Sequence, residues 1–180
     1  MKIILLFFMV ASLLFGFDYD EVLLKTQATI FPKIMLLDKK LDQKLVDGKI
    51  IYGIIYTDED YQTALEIKEF IDAKYNGTFG AYPYKVNFIR CTNLSKATAA
   101  TAIYVLNSCR DIVELADIAR EKGIISFAYD VNNLQEGLLF SLNIERSTIF
   151  YLNKKELYTK KVDFVDPVLQ MVRFVDKEKG

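Results

Sequence analysis

Lys49 to Tyr56 reads KIIYGIIY, a near-continuous run of β-branched and aromatic residues with no polar alternation. Such a run describes a strand covered on both faces, so the chain needs a layer on each side of a central sheet. Three more strand-like runs follow, Tyr84 to Cys91 (YKVNFIRC), Ala102 to Leu106 (AIYVL) and Ile124 to Ala128 (IISFA). Between them, apolar residues recur at helical spacing: Tyr61, Ala64, Ile67, Ile71 and Tyr75, then Ile112, Leu115, Ala116 and Ala119. Strands alternating with helices give parallel crossovers, and the fold class is α/β: a single three-layer sandwich with a mainly parallel sheet. Leu138 to Leu142 and Thr148 to Leu152, around Asn143 to Ser147, predict a late antiparallel hairpin at its edge.

Smaller signals set the expected boundaries. Asp18 to Leu45 reads as helix, with Ile34, Leu37, Leu41 and Leu45 inward and Pro32 as a kink or division. Thr57 and Asp58 cap the next helix, which stops at Asn76-Gly77 before a loop over Thr78 to Pro83. Asn93 to Ala99 can form a short helix, Asn107-Ser108 caps the following one, and Gly123 ends it. Asn132 to Gly137 is a turn or short helix. Asp166 and Pro167 then start a last helix buried through Val168, Met171, Val172 and Val175, and the tail Lys177 to Gly180 frays. No repeat or linker divides the chain, so residues 17–180 are expected to form one domain.

Residues 1–16 have the three-part pattern of a secretory signal peptide: Lys2, an unbroken apolar stretch from Ile3 to Ala11 and on to Phe15, and a small Gly16. The apolar stretch is shorter than the roughly 18 to 20 residues of a spanning helix, and an uncleaved anchor is the other reading. Cleavage leaves 164 of 180 residues. That predicts a periplasmic protein, in an oxidising compartment where two cysteines form a disulfide. Cys91 and Cys109 close a loop of eighteen residues. Free thiols or a redox-responsive pair are the alternatives.

The chain has no histidine, which removes Ser-His-Asp triads, Cys-His pairs and His-based zinc sites. No two glycines are spaced G-x-G, and Gly48-Lys49 lacks the upstream glycine of a phosphate-binding loop. A net charge of −1, or −2 without Lys2, provides no cationic field for nucleic acid or anionic lipid. No cofactor or metal is expected, and any membrane association comes through a partner. An enzyme relying on carboxylates alone is the least favoured class, because no acid pair stands out by spacing.

The residues left for recognition are few. Asp58, in the acidic triplet Asp58-Glu59-Asp60, follows the first strand, where open α/β sheets bind ligands, although such acids also suit a helix start. Asn107 holds the equivalent place after the Ala102–Leu106 strand, just before Ser108-Cys109-Arg110. Phe79 and Tyr82 lie in the glycine-containing loop, where aromatic side chains either grip a partner or cover the core.

Gly137-Leu138-Leu139-Phe140, Thr148-Ile149-Phe150-Tyr151-Leu152-Asn153 and Val162 to Val175 resemble the YfiR-like family of small exported bacterial proteins, and Gly48 to Tyr56 looks like its first strand. The resemblance implies a non-catalytic periplasmic regulator that binds the sensory portion of an inner-membrane signalling protein, typically a diguanylate cyclase, and holds it inactive. It also implies a possible homodimer and sequestration by an outer-membrane lipoprotein. The alternative from a different class is a periplasmic small-solute binding or sensory module.

Overall fold

The computed structural model describes residues 18–158 and 161–175. The expected leader over residues 1–16 and the expected fraying tail, Lys177 to Gly180, lie outside the described residues. Among the described residues, eight strands form one sheet: β1 (Ile50–Tyr56), β2 (Thr78–Phe79), β3 (Tyr82–Arg90), β4 (Ala102–Val105), β5 (Ile125–Ala128), β6 (Phe140–Ile144), β7 (Thr148–Asn153) and β8 (Val172–Val175), in the order β2-β3-β1-β4-β5-β6-β7-β8. From β3 through β6 every pairing is parallel, while β2 with β3 and β6 with β7 are antiparallel. The helices are α1 (Glu21–Met35), α2 (Tyr61–Tyr75), α3 (Ile112–Lys122), α4 (Lys154–Leu157) and α5 (Asp166–Met171).

All seven residues of β1 are buried, as its composition requires. Ile50, Tyr52, Ile54 and Tyr56 join one core with α1 and α2, and Ile51 and Ile55 join a second with α3. The layers follow from the strand order. From β1 the chain crosses through α2 to β3 on one side, whereas β4 crosses through α3 to β5 on the other. Right-handed crossovers running in opposite directions put their helices on opposite faces. The sheet is therefore covered twice, giving the three-layer sandwich.

Aromatic rings fill the α1 side. Phe31 of α1 stacks on Phe127 at 4.5 Å and meets Tyr104 edge-on at 5.2 Å. Gly53 allows the other side to close, since a Cβ there would lie 3.0 Å from Ile89 and 3.2 Å from Ile103, on the two strands flanking β1. Gln27 is the buried polar exception on α1. It donates to the carbonyls of Tyr129 and Leu142, each at 2.9 Å, and accepts from the Tyr104 hydroxyl.

Several expected boundaries move, each for a tertiary reason. The first helix ends at Met35 rather than Leu45, with Pro32 inside it. Beyond it, Asp38 bridges to Phe164 and accepts an ion pair from Lys44 at 2.5 Å, which draws the chain across to the later segment. The loop at Thr78 to Pro83 is a tight hairpin, β2 to β3. The expected short helix over Asn93 to Ala99 is only a 3-10 turn, Cys91–Asn93, with no helix over 94–99, and the amine of Lys122 binds the carbonyls of Lys96 and Thr98 at 2.6 Å each. The last helix stops at Met171 because Val172 to Val175 pair with β7 instead. The hairpin β6–β7 thus has β8 on its outer flank, and Met171 is exposed rather than part of a buried stripe.

The Tyr52 hydroxyl is buried without a partner. Tyr52→Phe removes an unsatisfied polar atom at nearly constant shape, so the urea midpoint is expected to stay level or rise. Burial also pushes the Tyr75 and Tyr84 phenols up to about 12, with Asp72 adding to the shift of Tyr84. Their neutral forms are favoured in the fold, while the unfolded chain ionises near pH 10. Stability is therefore expected to hold below about pH 10 and to fall between about pH 10 and 12, measured by denaturant melts across that range.

Candidate functional site

A parallel sheet whose connections leave β1 in both directions has a switch point there, and ligands of open α/β folds bind outside the carboxyl ends of the strands at that place. The segments after β1 and β4 meet here, and their hydroxyl and carboxylate side chains form a linked set. Thr57 Oγ donates to Ser108 Oγ at 2.7 Å, and Ser108 Oγ donates to Asp60. Tyr19 Oη donates to the other Asp60 oxygen at 2.9 Å while accepting the Asn107 N–H at 2.9 Å. Asp60 is only 1% exposed, so this paired arrangement is what permits a carboxylate at that depth. Burial first, then the Asp60 charge, drives the Tyr19 phenol far above its ordinary range. It therefore acts as a fixed donor to Asp60. The Tyr19 ring is held edge-on to Tyr129 at 4.7 Å, which fastens the start of α1 over this edge.

This network explains why the predicted caps do not cap. Thr57 spends its hydroxyl on Ser108, and Asp58 pairs with Arg90 at 2.9 Å across the exposed end of β3. Ser108 is committed to Asp60, so α3 begins three residues after Cys109, with Asp111 as its first flanking residue.

Cys91 and Cys109 form a disulfide with Cα atoms 5.9 Å apart. Their strands, β3 and β4, are not neighbours, because β1 lies between them. Two strand spacings amount to about 9.6 Å, so the loops lean inward and the bridge arches over the end of β1. It forms part of the wall of a crevice of 340 Å³ lined also by Thr57, Glu59, Thr92, Asn107, Ser108, Arg110 and Asp111. The volume is within the range of small-molecule sites. A larger trough of 750 Å³ runs along α3 and shares Arg110 and Asp111. Two of its acids are already paired, Asp117 with Arg120 at 2.5 Å and Glu121 with Lys96 at 2.7 Å.

The structure divides the four residues expected to form a recognition surface. Asp58 and Asn107 come to the carboxyl edge, and Asn107 lines the crevice. Phe79 and Tyr82 belong to the opposite end of β3, beside the β2–β3 turn. Phe79 is wholly buried and stacked on Tyr84 at 4.0 Å, which corrects its assignment to a partner surface: it closes the core beneath the hairpin. Tyr82 is half-buried, and its hydroxyl donates to Asp42 at 2.7 Å. Sequence reasoning missed Tyr19, Asp60 and Ser108 as a unit. Only the place of Asp60 and Ser108 shortly after a strand hinted at it. Among the described residues, no group of three or more Cys, Asp or Glu is placed to hold a metal ion.

No family model matches the chain, and no curated protein does. Solved structures share its fold. A conserved domain protein of Vibrio cholerae O1 biovar El Tor str. N16961 superposes with a TM-score of 0.57 at 11% identity, over 84% of this chain and 59% of that one. The ABC domain of Streptococcus pneumonia, solved in complex with L-Trp, gives 0.51 at 12% identity, over 79% and 62%. This chain thus spans about three-fifths of either neighbour, and the likeness is one of fold.

Reducing the disulfide, or replacing both cysteines by serine, releases an eighteen-residue loop in the unfolded state. The expected loss is about 3 kcal/mol, read as a lower urea midpoint with and without dithiothreitol.

Proposed function

We propose that the chain is an exported, non-catalytic periplasmic protein that regulates an inner-membrane signalling protein, of the diguanylate cyclase kind, by binding it directly. The observation that carries this reading is the open β8 end of the sheet. No strand lies beyond β8 among the described residues, and Phe174 and Met171 are 45% and 46% exposed there. An apolar edge strand with free backbone groups is a docking surface for another protein. The segments that resemble the YfiR-like family, 137–140 and 148–153, contribute to β6 and β7 beside it. The Cys91–Cys109 bridge supports an oxidising compartment. Among the described residues, no helix is long and apolar enough to cross a membrane.

A photoreactive residue at position 174 in living cells is expected to capture an inner-membrane protein with an extracytoplasmic sensory portion. Phe174→Glu should abolish that capture from a probe at position 144, while the thermal midpoint shifts by less than a few degrees. Capture of a second copy alone identifies a homodimer and overturns the proposed partner.

The second reading, a small-solute binding or sensory module, is favoured by the 340 Å³ crevice at the switch point and by a fold neighbour solved with L-Trp. Stabilisation by a solute in a thermal melt is its signature.

A further inference from the structure

The crevice over the end of β1 carries charges of both signs that the fold does not use. Glu59, Arg110 and Asp111 line it together, are exposed, and form no ion pair among the described residues. Nearby charges are spent differently, as Asp58 is on Arg90 at 2.9 Å. Asn107, on the same wall, adds a buried side-chain oxygen with no donor.

We propose that this crevice binds a small zwitterionic amine, of which a free α-amino acid is the simplest member. The inference rests on the solute-binding reading of the crevice and adds the class of ligand. Arg110 offers a planar guanidinium that takes a carboxylate through two parallel hydrogen bonds. Glu59 and Asp111 take the ammonium, and two acids against one base leave the lining net negative. That balance rejects dianions and keeps the ammonium indispensable. The hydroxyls of Thr57 and Ser108 are fixed by the network behind them, so the polar wall is in place before a ligand arrives.

The test uses calorimetric titration and thermal melts of the disulfide-bonded protein against the common amino acids, with the matching decarboxylated amines, succinate and glucose as separate arms. At least one amino acid is expected to bind and raise Tm, and its decarboxylated amine to bind about tenfold more weakly, the value of one charge-assisted contact. Arg110→Gln should erase that difference, and Glu59→Gln with Asp111→Asn should weaken amino acid and amine alike. Arg146→Gln, in the exposed turn between β6 and β7, should leave binding intact. Amino-acid binding that is indifferent to Arg110→Gln overturns the assignment. Binding of succinate or glucose without any amino acid overturns the ligand class and leaves the solute reading standing, whereas silence in every arm overturns both.

Discussion

Burial of β1 on both faces is the constraint on which the rest of the structure depends. A strand with seven buried residues requires cover from two layers, and it takes hydrogen-bonded neighbours on both edges. Those neighbours are reached by different routes, one through α2 and one by the return over residues 91–101, which holds no α-helix and only the 3-10 turn Cys91–Asn93. The reversal of direction at β1 has a geometric result. It leaves the carboxyl ends of β1 and β4 side by side with no crossover helix to fill the space between them.

That space is managed by polar groups rather than by more core. Asp60 is taken out of water at the end of β1 and is compensated by hydroxyls from Tyr19 and Ser108. A half-satisfied carboxylate at that depth would cost several kcal/mol, so the two donors and the start of α1 stand or fall together. The disulfide closes the same edge from outside by drawing the loops after β3 and β4 across β1. Both devices rigidify the crevice wall. They leave Glu59, Arg110 and Asp111 as its unused charges. The crevice at this edge and the proposed docking strand β8 are separated by several strands of the one sheet.

Much of the architecture was legible in the chain. The strands at 50–56, 102–105 and 125–128 and the ends of α2 and α3 at Asn76 and Gly123 follow from apolar periodicity and left-handed cap residues, which are local properties. Val172 to Val175 misled because valines at helical spacing also suit a strand, and pairing with β7 decides between the two. Phe79 misled because a loop aromatic and a core aromatic have the same sequence context. Its stacking on Tyr84 is a contact made only after the hairpin folds.

The sequence by itself determined the α/β class, the cysteine pair and the absence of histidine chemistry, because each depends on composition or on spacing within one segment. Tertiary structure alone decided the strand order, the bridge over β1 rather than between adjacent strands, and the set Tyr19, Asp60 and Ser108. The last of these joins residues 41 and 48 positions apart. No local pattern encodes such a meeting: it exists only because crossovers of opposite direction return three distant segments to one edge of the sheet.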